Sequence, residues 1–355
     1  DLLAGMGVAN VGHRHPEVVA AVRAQAARHL HVMVYGELVQ EAQVRLAARL
    51  AGLLGPSLDV VYFTSSGTEA VEGALKTARK HTGRPGLVAF EGGFHGDTLG
   101  ALSIGGNPVY RTPFEPLLPG VRLLPFDDVG ALAAVDERTA AVVVEPVQAE
   151  GGVRIPSPGF LPALRRRCDA TGALLVFDEV VTGFGRTGRL FAHQHWGVVP
   201  DLLVLAKALG GGLPLGAFAG APSVMGTLAH DPPLAHVTTF GGHPLSCAAG
   251  LAALEVLLRD DLAGRAVAVG GRLLARLRAL LGRGGLADVR GLGLLLGLEF
   301  ADAGACARFA ARARERGLIL NWTLHRDTVV RLAPPLVIAE EEVDQALAAV
   351  AESLA

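Results

Sequence analysis

Ala173-Leu-Leu-Val-Phe-Asp178-Glu-Val-Val-Thr-Gly-Phe-Gly-Arg-Thr-Gly188 and, a little further on, Leu202-Leu-Val-Leu-Ala-Lys207-Ala-Leu-Gly-Gly-Gly212 decide the fold. Each opens with a run of branched apolar residues too short for a helix and apolar on both faces. Such runs read as strands buried on both sides. Both end in a charged residue, Asp178 and Lys207, 29 positions apart (207 − 178).

Working outward, Asp59–Phe63, Gly86–Phe90, Ala140–Glu145 and Gly216–Ala219 read as further strands. Glu17–Leu30, Gln40–Leu54, Thr68–His81 and Pro158–Thr171 carry alanine, leucine and arginine at helical period. Doubly apolar strands alternating with helices imply a parallel sheet covered on both faces. Ligands on such sheets sit at the carboxyl ends of the strands, where Ser65, Glu145, Asp178 and Lys207 collect. After Pro244 the pattern changes to helices at Leu245–Leu258 and Leu262–Leu281, an apolar stretch at Val289–Phe300 and a helix from Glu340. The expected division is an N-terminal segment, 1–37 (incomplete, packing with the small domain), a large domain, 38–245, and a smaller α/β domain, 246–355.

Half of the 355 residues are hydrophobic and 19% are charged, against roughly 25% in soluble domains. Apolar runs stop short of the ~20 residues that span a bilayer, so the surplus belongs in a core and a subunit interface. A net charge of −2 without a basic stripe argues against nucleic acid. Cys168, Cys247 and Cys306 are too scattered for a disulfide framework or a metal site and read as buried thiols of a cytoplasmic protein.

Taken singly, Asp178 reads equally as a helix cap and Lys207 as a surface charge. Lys207, however, lies inside an apolar run beside three glycines. Burial disfavours the ammonium form and yields an amine able to attack a carbonyl carbon. An aspartate is the partner that keeps a pyridine nitrogen protonated. Ser65-Ser-Gly-Thr-Glu-Ala70 lies between a strand and a helix, where small residues let backbone N–H groups surround a phosphate. A plain helix cap explains it as well. Phe94 reads as either a ring-stacking or a core aromatic.

In this order the pieces resemble the class III aminotransferases of pyridoxal-phosphate fold type I, the ornithine, acetylornithine, 4-aminobutyrate and putrescine type. The resemblance spans nearly the whole chain. It includes Asn10-Val-Gly-His-Arg-His-Pro16, Ser66-Gly-Thr-Glu-Ala70, Phe94-His-Gly96, Glu145-Pro-Val-Gln-Ala-Glu-Gly-Gly152 and Asp178 to Gly188. It continues through Pro200-Asp201, Ala206-Lys-Ala-Leu-Gly210, Thr239-Phe-Gly-Gly-His-Pro244, Val289-Arg-Gly291 and Arg331-Leu-Ala-Pro-Pro-Leu336.

The resemblance implies a large doubly wound, mostly parallel sheet domain, a smaller C-terminal α/β domain, and pyridoxal 5′-phosphate as cofactor. Lys207 would hold it as a Schiff base and shuttle a proton, and Asp178 would pair with its ring nitrogen. Ser66, Gly67 and Thr68 would bind the phosphate, with Thr239 contributed by the neighbouring subunit. Phe94 and Val180 would flank the ring, with His95 and Glu145 around it. Arg331 resembles the arginine that grips a substrate α-carboxylate, and Glu150 the acid that pairs with it when that carboxylate is absent.

Departures from the family pattern concern the substrate. Asp97 follows Phe94-His-Gly96 where relatives commonly have arginine, and Val181, Ala149 and His243 replace a common Gln, Gly and Asn. An aspartate there reverses the charge offered to a donor's far end, although a turn or cap role explains it too. The implied activity is transfer of an amino group from an ω-amino donor (a diamine such as putrescine, an ω-amino acid or an acylated diamino acid) to a 2-oxo acid such as 2-oxoglutarate. A homodimer or larger assembly sharing its active sites is expected, with no metal, nucleic acid or membrane. An aminomutase or racemase on the same scaffold is the alternative.

Overall fold

The computed structural model describes residues 1–355 except Tyr35 and Glu37. Seven strands form the larger sheet: β1 Val60–Thr64, β2 Gly86–Phe90, β3 Val121–Leu124, β4 Thr139–Val144, β5 Leu174–Asp178, β6 Leu202–Leu205 and β7 Gly216–Gly220. Their spatial order is β1-β7-β6-β5-β4-β2-β3. Alternate side chains point to opposite faces of a strand, and here each face has its own core. Leu175 and Phe177 of β5 pack with Phe160 and Leu164 of the helix Phe160–Thr171. Their neighbours Leu174 and Val176 pack instead with Val71, Ala74 and Leu75 of the helix Gly67–Thr82. Both faces are covered, which is why these strands carry no polar alternation.

The sheet is mostly parallel, as expected, with β7 the exception: it runs antiparallel to both β6 and β1. Ten residues (206–215) join β6 to β7, too few for the crossover that a parallel neighbour needs. Edge strand β3 went unread because only its last residue is buried.

The smaller sheet is antiparallel: β8 Leu286–Leu292, β9 Leu295–Phe300, β10 Asn321–Thr323 and β11 Arg326–Leu332, ordered β10-β11-β9-β8. The apolar stretch Val289–Phe300 is thus a hairpin. It turns at Gly293, where φ is +58° and a Cβ would lie 2.4 Å from the Thr187 carbonyl carbon. The helices Leu262–Arg278, Ala303–Glu315 and Glu340–Ser353 accompany this sheet. The middle one, capped by Asp302 accepting from Ala305 N, was not read from the sequence.

The N-terminal residues tie into this region. Leu2 N donates to Ile319 O, Ala333 N to Leu2 O and Leu336 N to Asn10 O. Arg186, fully buried, links three segments by donating to Asn10 Oδ1, Leu294 O and Pro334 O. Among the described residues no helix is long and apolar enough to cross a membrane.

Candidate active site

Four strands deliver their ends to one edge of the large sheet: β1 leads into Ser65–Thr68, β4 into Glu145, β5 ends at Asp178 and β6 leads into Lys207. Side chains from all four line a single cavity of about 410 Å³, together with Phe94, His95, Glu150, Val180 and Val181.

Lys207 is the only one of the chain's three lysines in this lining. Its backbone is left-handed, φ +48°, a conformation that costs a non-glycine residue about 1–3 kcal/mol and gathers at functional sites. Burial lowers its pKa, and the carboxylates of Asp178 and Glu150 only partly offset this. The amine is therefore easier to deprotonate than an exposed lysine.

Asp178 is held on both oxygens: His95 Nδ1 donates to Oδ2 at 2.8 Å and Val180 N to Oδ1 at 3.0 Å. Burial works against a charged His95, but the hydrogen bond and charge of Asp178, with Glu145 behind, raise its pKa. Glu145 accepts from Phe94 N and Ala149 N. Burial, opposed by His95 and reinforced by Asp178, pushes its carboxyl up to about 7.

Another wall of the cavity is built from a helix start. Ser66 caps the helix Gly67–Thr82, its Oγ accepting from Glu69 N, while Ser65 N donates to Glu69 Oε2 at 2.7 Å. The first-turn N–H groups of such a helix have no partners within it and favour an anion. A Cβ on Gly67 would come within 3.2 Å of Val180, and one on Gly96 within 2.4 Å of Thr68 Oγ1. The glycines therefore keep the cradle open. Thr68 Oγ1 is fixed by Thr98 Oγ1 at 2.7 Å.

Glu150 and Arg331, both buried, form an ion pair. Burial alone would raise the Glu150 pKa, yet the Arg331 cation and the 2.8 Å bond from Leu324 N hold it below the usual carboxylate range. Arg331 also reaches Met6 Sδ at 3.7 Å.

Three expected residues are absent from this lining: Arg331, which is tied to it through Glu150, and two that stand apart. Thr239 and Asp97 are exposed and do not line the cavity. Thr239 lies next to Phe240, which packs against His31. Asp97 is near enough to His325 to act on its charge state. The lining also includes residues that sequence reasoning missed: Val8 and the loop Gly212–Leu215. The Gly210-Gly211-Gly212 run was the signal for the loop. Nothing in the apolar Val8 marks it.

Pyridoxal 5′-phosphate fits this arrangement. A half-buried amine shares the cavity with a buried carboxylate already oriented by a histidine, and a glycine-opened helix start belongs to the same lining.

A model of the family described as aminotransferase class-III matches residues 1–354. The chain is similar to an acetylornithine aminotransferase of Methanosarcina mazei, 44% identical over 348 residues, covering 97% of this chain and 84% of the relative. A putrescine aminotransferase of Pectobacterium atrosepticum is 43% identical over 356 residues, covering 96% and 75%. Among solved structures, an ornithine aminotransferase from Toxoplasma gondii superposes with a TM-score of 0.92 at 36% identity, covering 100% of this chain and 85% of that one. A PLP-bound amine transaminase from an uncultivated Pseudomonas species gives 0.92 at 32%, covering 100% and 89%.

Proposed function

The chain belongs to the class III aminotransferases, which use pyridoxal phosphate, and on that premise we propose that it moves the amino group of an ω-amino donor to a 2-oxo acid. The donor is a diamine such as putrescine, an ω-amino acid or an acylated diamino acid, and 2-oxoglutarate is the natural acceptor. The observation that carries this reading is the pairing of two devices, one in the cavity and one at its border. Lys207 and Asp178 share the cavity lining, and Glu150 of that lining pairs with the buried Arg331, a pair that would serve substrates with or without an α-carboxylate.

When bound, the cofactor supplies an electron sink beside the donor's amino-bearing carbon. Lys207 holds it and, once free, takes the proton from that carbon and returns it elsewhere, work suited to an amine whose pKa burial has lowered. Asp178, fixed by His95, keeps a proton on the ring nitrogen. Ser66, Gly67 and Thr68 hold the phosphate, joined by Thr239 of the partner subunit. Phe94 and Val180 flank the ring, and Glu145 borders it beside His95. Arg331 grips the α-carboxylate of the oxo acid through its planar fork, and Glu150 neutralises it when the donor has none.

A homodimer or larger assembly is supported by exposed apolar side chains at Leu30, Met33, Leu38 and Val39, and by Phe240, which is 55% exposed beside Thr239. The division into 1–37, 38–245 and 246–355 is supported by the separate sheets at 60–220 and 286–332. A cytoplasmic location fits three free, buried cysteines.

Asp97 assigns the donor's far end. Exposed near His325, it places negative charge outside the cavity and disfavours a donor that ends in a carboxylate. The test is a half-reaction screen by cofactor absorbance. Donor alone should convert the cofactor and release stoichiometric aldehyde, whereas an isomerising enzyme would return to its starting spectrum. Putrescine should exceed 4-aminobutyrate in kcat/KM, and Asp97→Arg should shift that ratio about tenfold toward 4-aminobutyrate. A wild type that prefers 4-aminobutyrate, or an unchanged ratio in the variant, contradicts the assignment.

A further inference from the structure

The hairpin that carries Arg331 also holds the other half of its ion pair. Thr323 of β10 faces Arg326 of β11, so Leu324 and His325 form the tip, and Arg331 follows six residues later (331 − 325). Leu324 N donates to Glu150 Oε2 at 2.8 Å and His325 N to Glu150 O at 3.0 Å, while Arg331 bonds the opposite oxygen, Oε1. The Glu150 carboxylate is thus shared between a side-chain guanidinium and a main-chain donor.

The tip is itself anchored to the large domain. His325 Nδ1 donates to Gly92 O at 3.1 Å, and the carbonyl's acceptor role places the ring proton on that nitrogen. Burial lowers the His325 pKa, which favours this neutral ring. Tyr110 stacks on the imidazole with centroids 5.3 Å apart and planes at 25°, and its hydroxyl donates to Leu324 O at 3.0 Å. Phe94 meets the same ring edge-on at 5.7 Å.

We propose that the Leu324–His325 tip retains the Glu150 carboxylate when a substrate carboxylate claims Arg331, and that His325 and Tyr110 are the positioning residues that keep the tip in place. The proposal rests on the reading of Glu150 and Arg331 given above. A buried carboxylate stripped of its only partner is strongly disfavoured. A donor that stays behind when the guanidinium turns away lowers that obstacle. With the tip loose, Glu150 holds on to Arg331 and competes with the oxo acid. A donor without an α-carboxylate asks nothing of Arg331 and does not sense the change.

Single-turnover measurements on holoenzyme variants separate these cases. His325→Ala and Tyr110→Ala should lower kcat/KM for the 2-oxoglutarate half-reaction about tenfold and leave the putrescine half-reaction within about twofold of wild type. The milder His325→Gln, which keeps a donor for Gly92 O, and Tyr110→Phe, which keeps the stack, should recover most of the loss. Equal falls in both half-reactions, no fall in either, or a Gln variant as slow as Ala would overturn the proposal. Glu150→Gln is measured alongside. If it leaves the balance of the two half-reactions unchanged, the underlying Glu150–Arg331 reading fails. If it shifts the balance while the His325 and Tyr110 variants do not, only the role of the tip fails.

Discussion

At the residue scale, the protonation of the site depends on Glu145 and His95, two buried groups that line the same cavity as Asp178. Burial brings the Glu145 carboxyl up to about 7 from an ordinary 4.5, and Asp178 raises the pKa of His95. Both shifts favour the protonated group in the folded chain. Below about pH 4.5 folded and unfolded chains both carry the Glu145 proton. As pH rises through about 7 the unfolded chain has already released it, so stability from this group declines across that window. Removing the titration with Glu145→Gln should therefore shrink the fall in apoenzyme Tm between pH 5 and pH 8, by about 1–3 °C. An unchanged pH difference would show that Glu145 ionises normally. Lys207 was legible at this scale because a charge inside an apolar run demands a reason. His325 was not, because its importance comes from contacts with Gly92, Phe94 and Tyr110, more than 200 residues away in the chain (325 − 110 = 215).

At the scale of elements, the cradle depends on how closely the Phe94-His-Gly96 segment approaches the start of the helix Gly67–Thr82. Gly96 has φ +118°, and a Cβ there would lie 2.4 Å from Thr68 Oγ1 and 3.0 Å from Thr68 Cα. Gly96→Ala must displace the helix start or twist its own backbone, so pyridoxal-phosphate affinity should fall at least about tenfold, roughly 1.4 kcal/mol. Fluorescence titration of the apoenzyme measures it, and wild-type affinity would mean that the cradle tolerates the shift. Strands β2, β4, β5 and β6 could be read from sequence because burial on both faces leaves an unbroken apolar run. The direction of β7 could not be, since the apolar run is the same either way and only the length of the connection distinguishes them. The β10–β11 hairpin escaped notice because β10 has three residues, one of them buried.

At the scale of the whole molecule, the exposed Thr239 distinguishes a self-contained site from a shared one. If Thr239 serves the partner's phosphate, heterodimers of Lys207→Ala and Thr239→Ala subunits contain one site with both defects and one with neither. They should regain up to about half of the wild-type activity per dimer. No recovery in verified heterodimers would place Thr239 in service of its own subunit. Family membership was legible because the motifs are contiguous and run from Asn10 to Leu336. Shared sites are harder to read, since one chain's sequence does not say which subunit a loop serves.

The central claim, that Lys207 is the amine through which this enzyme works, can be tested directly because the chain offers only two other lysines, Lys76 and Lys80. Both lie on the helix Gly67–Thr82 and bond main-chain oxygens of residues 235 and 230. Holoenzyme reduced with borohydride and digested should carry the pyridoxyl mass on the peptide containing Lys207 alone, and Lys207→Ala treated identically should carry none and have lost at least about 1,000-fold in turnover, some 4 kcal/mol in barrier. Label on Lys76 or Lys80, or a Lys207→Ala enzyme retaining a tenth of wild-type turnover, would contradict the account.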